Sequence, residues 1–305
     1  MKGMEIIGKP LKGYILILLA NVTLSVVFLI AKDVQPRMGL YPFLFYWFLC
    51  GSVFFLIAMT TTKGLKTFKI PRRWIPLTIL MGVFEVIATF LFFYTIRLMN
   101  PAVASFYENI SIVMTVLLGI IFLKEHFTAL EALGGLILGI GVVLMTYKSG
   151  KTVFIGFLLI LLLSLLFSIN TILLKVSLRD VHPIAFSSYR TFLLFATTAV
   201  IFMLQSHHPL PDLHTFTEIA IGAFLGPFLG VLLLFSGLQY LEASKASLVR
   251  ATNPLMVLIG SYLWLRQIPT SAQVIGGLIT LTGIELLLWG KFKIEHKQKY
   301  DKNAP

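Results

Sequence analysis

"GYILILLANVTLSVVFLIAK" (residues 13–32) lies over "GFLLILLLSLLFSINTILLK" (156–175) with seven identities, among them Gly13/Gly156, Ser25/Ser168 and Lys32/Lys175. Each stretch is an apolar run of about 20 residues, the length a helix needs to cross a bilayer. Leucine-rich runs align by chance, so the match gains its force from a second one. "ALGGLILGIGVVLM" (132–145) lies over "VIGGLITLTGIELL" (274–287) and pairs Gly134/Gly276, Gly135/Gly277 and Gly141/Gly283. The offsets, 143 and 142 residues, are nearly the same at both ends of the chain, as a duplication requires.

Working outward, similar apolar runs fill almost the whole sequence. The expected spans are 13–31, 40–60, 74–96, 102–122, 127–147, 154–174, 183–204, 217–240, 246–265 and 271–290. Prolines stand at or near the starts of several (Pro42, Pro76, Pro101 and Pro183), where a helix tolerates a missing N–H. Ten spans in two units of five place the second unit in the membrane upside down relative to the first. The expected fold is therefore an all-α membrane protein with ten transmembrane helices in an inverted 5+5 repeat, an architecture of secondary transporters. The units run over 10–148 and 152–291, with a polar cytoplasmic tail at 292–305. The first run lacks a small-residue cleavage site and reads as a retained helix rather than a signal peptide.

Composition agrees. Of the 305 residues, 57% are hydrophobic and 12% charged, against about 25% charged in soluble domains. The net charge of +12 invites a nucleic-acid partner, but the basic residues are distributed as a topology signal. Segments on the side of the N-terminus hold seventeen Lys and Arg; those on the other side hold six. By the positive-inside rule both termini are cytoplasmic, in a plasma (inner) membrane, and nucleic acid is not expected as a partner.

Enzyme chemistry lacks residues. All four aspartates (Asp33, Asp180, Asp212, Asp301) are assigned to loops or the tail, and neither H-E-x-x-H nor G-x-S-x-G occurs. The single cysteine, Cys50, forms no internal disulfide or cysteine cluster. The histidines at 207, 208 and 214 read as exposed loop residues. No metal and no cofactor are expected.

Two further segments carry a signature in part. "NPLMVLIGSYLWLRQ" (253–267) has Pro254 near its start and Arg266-Gln267 at its end. "SIVMTVLLGIIFLKE" (111–125) ends in Glu125, with Ile112 and Lys124 at the matching positions. The chain resembles the EamA type of the drug/metabolite transporter (DMT) superfamily. The marker of that family is a proline near the start of the fourth helix of each five-helix unit, with a Gly-Glu pair thirteen residues on. Here each half keeps one element of it. The resemblance covers about residues 13–290. It implies movement of small organic solutes, usually outward, without ATP, with the fourth helix of each unit lining a central cavity.

Charges inside spans are costly and face a cavity or a partner. Glu85, at the middle of span three, is a candidate proton-coupling site; the competing reading is a protonated glutamate bonded between helices. Glu108 falls on Arg250 under the 142-residue offset, and Ser105 on Ser247. The charges are either a fixed pair holding the halves in register or opposed ends of a substrate site. Asn21 and Asn170 supply polar contacts to a ligand or interhelical hydrogen bonds. Tyr94 and Trp264 are candidates for an apolar cavity wall. Arg190, two turns into span seven, reads as snorkelling to the surface. The glycine pairs let helices five and ten approach closely and leave a homodimer open.

The expected function is transport of an amino acid-like or amphiphilic metabolite, as an exporter working by alternating access. The partners are then a small-molecule substrate and the lipid bilayer. The alternatives are a multidrug or nucleoside/nucleotide-sugar carrier and, from another class, a non-transporting membrane subunit or lipid-interacting scaffold.

Overall fold

A computed structural model describes residues 2–61, 69–123, 129–146, 150–178, 180–241, 246 and 249–301, and these are helical almost throughout. In chain order the helices are α1 (Lys2–Met38), α2 (Leu40–Thr61), α3 (Ile75–Leu98), α4 (Pro101–Glu108), α5 (Ile110–Leu123) and α6 (Ala129–Thr146). There follow α7 (Gly150–Ser177), α8 (Pro183–Met203), α9 (Leu213–Ala223), α10 (Val231–Tyr240), α11 (Asn253–Leu263) and α12 (Ser271–Asp301).

Six stretches among the described residues are long and apolar enough to cross a membrane: Leu11–Met38, Leu40–Thr60, Arg72–Leu98, Thr152–Leu174, Pro183–Met203 and Leu213–Tyr240. The helices Ala132–Met145, Asn253–Leu263 and Ser271–Leu286 are apolar but shorter over their described apolar parts. The expected fourth span is not continuous. It divides at Asn109 into α4 and α5, and the expected ninth divides at Ala251 and Thr252. Asp33, expected in a loop, lies in the last turns of α1.

The helix ends are set locally. Asn100 caps α4 by accepting the Ala102 N–H at 2.9 Å, with Pro101 in the first turn. Asp212 caps α9, accepting the Thr215 N–H at 3.0 Å. Gly39, at φ +87°, allows the sharp reversal between α1 and α2 that a side chain would resist. Pro227 stands inside a continuous helix, and the turn Phe224–Gly230 widens to a π-helix around it.

Packing joins the two halves of the chain. α1 runs against α10 and α11, α2 against α8, α3 against α7, and α6 along α12. In the α6–α12 seam the backbones nearly touch. A Cβ on Gly276 would lie 2.7 Å from the Gly141 carbonyl oxygen, and one on Gly283 2.7 Å from that of Gly134. Gly134, Gly141, Gly276 and Gly283 are thus used within the chain.

Contacts also define two ends of the bundle. At one, Arg73 at the start of α3 meets Asp180 ahead of α8 at 2.9 Å, and Lys12 of α1 donates to Tyr240 of α10. At the other, Lys32 donates to the Ile96, Arg97 and Met99 carbonyls, tying the end of α3 to α1. There Arg37 also bridges Asp33 and Glu218, each at 2.7 Å.

Candidate functional site: a charged cavity between the two repeats

Between these ends lies a cavity of about 330 Å³. Most of its wall is apolar and much of it aromatic, with Phe28, Trp47, Phe48, Phe92, Phe93 and Phe186 among the lining residues. Toward the Arg37 end it is closed by packed rings. Phe43, Trp47 and Phe93 lie in mutual edge or tilted contact, and Phe48 also meets Phe93. Toward the Arg73 end Met81, Leu174, Leu178, Val181, Phe186 and Leu238 pack into a second buried cluster.

Two ion pairs are set into this apolar wall. Arg190 Nε donates to Glu85 Oε1 at 2.5 Å, linking α8 to α3. Asn170 of α7 donates from Nδ2 to Glu85 Oε2 and to the Met81 carbonyl, each at 3.1 Å. Elsewhere in the wall Arg250 Nη2 lies 3.7 Å from Glu108 Oε1. This second contact is looser, outside hydrogen-bond distance. The first pair is held by a third helix; the second is a charge contact.

The helix breaks supply the remaining polar groups. Interruption of the ninth segment frees backbone carbonyls that a continuous helix would bond. Asn21 Nδ2 donates to the Val249 carbonyl at 2.6 Å, and Asn109 Nδ2 to that of Ala251 at 3.0 Å. Asn109 and Ala251 are 142 residues apart, so the breaks fall at equivalent positions of the repeat. Unwound backbone within a bundle persists where it lines a cavity or finds such partners.

Of the residues singled out from sequence, Glu85, Glu108, Arg250, Asn21 and Asn170 all line the cavity. Ser105 does not. It is buried and returns its hydroxyl to the Ala102 carbonyl of its own helix. Tyr94 and Trp264 lie on the exposed exterior instead of the cavity wall. Ser247 lies outside the described residues, as do Lys124 and Glu125 of the partial signature. Arg190 turns inward to Glu85 and does not snorkel. Sequence reading passed over Asn109, Asn253, Thr89 and Thr171, which also line the cavity. The sequence signal for the first of these is Asn109 itself, a weak helix former next to the charged Glu108 in an otherwise apolar run. Among the described residues no group of three or more His, Cys, Asp or Glu is placed to hold a metal.

Known proteins agree with this architecture. A family model described as the EamA-like transporter family matches twice, over residues 11–147 and 154–289. The Bacillus subtilis (strain 168) protein YdfC, an "uncharacterized transporter", is 28% identical over 199 residues, 62% of each chain. The chain thus spans about three fifths of that relative's length. A second uncharacterized transporter of the same organism, YyaM, is 25% identical over 75% of this chain and 78% of its own. One solved structure, titled only as the crystal structure of a protein, superposes with a TM-score of 0.66 over 92% of this chain and 96% of its own. At 16% identity that likeness speaks to the fold alone. Both ion pairs join an acid of the first matched repeat to an arginine of the second. With the family model covering nearly the whole sequence in two copies, the chain belongs to the EamA-like transporter family of the drug/metabolite transporter superfamily and is a multi-pass membrane protein.

Proposed function

We propose that the protein is a secondary exporter of a small amphiphilic, amino acid-like solute, which it binds in the cavity between its repeats. The observation that carries this reading is the pairing of Glu85 with Arg190 and of Glu108 with Arg250 across the repeat interface. A zwitterion offers an ammonium to a glutamate and a carboxylate to an arginine, so both charges of an opened pair find partners. A solute with one charge leaves the other half of the pair stranded in an apolar wall.

In this reading the chain crosses the plasma membrane ten times, as two inverted five-helix halves. The Arg73 end and both termini face the cytoplasm. Transport proceeds by alternating access, with one half rocking against the other. Glu85 is the coupling candidate: opening its pair with Arg190 frees a carboxylate to take a proton.

Reconstituted protein in sealed vesicles tests the reading. Flux is measured across a panel of amino acids, nucleosides and cationic drugs, with and without a pH gradient. We expect saturable flux of zwitterionic members, lost when Arg250 is replaced by Ala. Absence of flux across the panel, or flux indifferent to Arg250, refutes it.

A further inference from the structure

The cavity's two ends are packed, but part of its side wall is also outer surface. Of the residues that line it, three are more than a third exposed: Ile79 at 61%, Tyr189 at 49% and Leu193 at 39%. All three belong to α3 and α8. Each sits on that helix's outward apolar stripe, Ile75, Ile79, Val83 and Ile87 on α3 and Tyr189, Leu193 and Val200 on α8. These are faces a membrane protein turns to lipid. The two helices touch where Gly82 meets Leu193. Below that contact, toward the Arg73 end, Ile79 and Tyr189 each line the cavity and also form part of the outer surface. At 1.5 Å per residue, Ile79 lies about 6 Å from the start of α3 and Tyr189 about 9 Å from the start of α8. This shared wall therefore faces sideways, within the leaflet next to the Arg73 end.

Directly behind it stand Glu85, Arg190 and Asn170. Two of their buried polar atoms, Arg190 Nη1 and Asn170 Oδ1, have no hydrogen-bond partner among the described residues. Buried polar atoms are normally paired, and unpaired ones ask what completes them. One is a guanidinium donor suited to an anionic oxygen. The other is an amide acceptor suited to an ammonium N–H.

We infer that the seam between α3 and α8 at Ile79 and Tyr189 opens as a side entrance from the bilayer. The ligand it admits is a zwitterionic amphiphile, its head group between Glu85, Arg190 and Asn170 and its apolar body drawn in past Ile79 and Tyr189. The inference rests on the reading of the cavity as a ligand site and adds the route and the partitioned class of ligand. A single-chain amino acid and a phospholipid with an ammonium-phosphate head share this chemistry.

The test uses two probes with one head group: leucine, which arrives from water, and 2-aminododecanoic acid, which partitions into the membrane. Association rates are measured for the full chain in vesicles of phosphatidylglycerol, which has no ammonium in its head group. Ile79 faces outward, so its side chain can change size without disturbing the core. In Ile79→Trp we expect the ratio of the 2-aminododecanoate rate to the leucine rate to fall at least tenfold. In Ile79→Ala we expect it to rise, which guards against a variant that simply folds poorly. Adding phosphatidylethanolamine separates the sources: competition identifies a bilayer lipid head as occupant, and its absence a free amphiphile. A ratio unmoved by both variants overturns the side entrance. Binding of leucine without 2-aminododecanoate overturns it too and leaves the cavity reading intact. Failure of both probes removes both readings.

Discussion

Arg266 follows α11 with φ at +54°, in the left-handed region where a side chain is strained and glycine is not. It occupies the position at which the family signature has glycine. The local geometry supplies a reason for that glycine: Gln267 N–H returns to the Ser261 carbonyl, and the Ser261 hydroxyl donates to the Gln267 carbonyl. This closed turn requires its linking residue to be left-handed. Arg266→Gly should therefore stabilise the protein by about 1 kcal/mol, read as a higher midpoint in thermal unfolding in detergent. Unchanged or lower stability would show that the guanidinium makes a compensating contact. Glu108 and Arg250 pose the opposite case, charges retained at a cost. If they hold the halves in register, Glu108→Ala and Arg250→Ala each strand a charge and lose about 3–5 kcal/mol of stability. The exchange Glu108→Arg with Arg250→Glu should then restore both yield and transport. If they bind substrate, as we propose, the single variants fold and lose binding, and the exchanged protein folds without transporting. Thermal stability and binding titrations on the three variants separate the roles.

At the scale of elements, the repeat offset placed Glu108 opposite Arg250 in sequence, and the fold brings them face to face. Glu85 and Arg190 had no such guide. Their contact joins the third span of one half to the second span of the other, and the same offsets set Arg190 against Trp47 and Phe48. Depth in a span can be counted along the chain, but azimuth cannot. In a soluble helix the apolar stripe marks the buried face. Here lipid-facing and core-facing residues are both apolar, so the direction of Arg190, Tyr94 or Trp264 is not written in the hydropathy pattern. The helix breaks left marks that hydropathy does not register: Asn109 is a weak helix former, and Thr252, Asn253 and Pro254 follow Ala251. The α6–α12 seam, by contrast, was legible from paired glycines. Its tolerance is low because the close neighbours are backbone atoms. Gly276→Leu and Gly283→Leu should force the helices apart and lower the folded fraction, at about 1–3 kcal/mol or more for overpacking. Gly139→Leu, with nothing within 4 Å of its Cβ, should be nearly silent. Equal loss in all three, by size-exclusion yield and thermal midpoint, would mean that the effect is not the seam.

For the whole molecule, the ion pairs are arranged by end. Arg37 with Glu218 closes one end and Arg73 with Asp180 the other, and each again joins the first repeat to the second. An alternating-access cycle needs the two ends to open in turn, so these pairs should break in different states. Both involve side chains partly open to solvent, where a single pair is worth about 0–1 kcal/mol. Such contacts can be exchanged without a large barrier, which suits a gate better than a permanent clamp. Which end faces the cytoplasm fixes the direction of every later experiment, and on the cation count we propose that it is the Arg73 end. The assignment is checked by placing tags in the 205–216 segment and after Lys291 in intact cells. The first should be reached by an impermeant antibody from outside, and the second only after permeabilisation. Protection of the 205–216 tag together with external access to the tail would invert the molecule. Export and the leaflet served by the seam between α3 and α8 would then have to be reassigned, while the cavity and its two charge pairs would stay where they are.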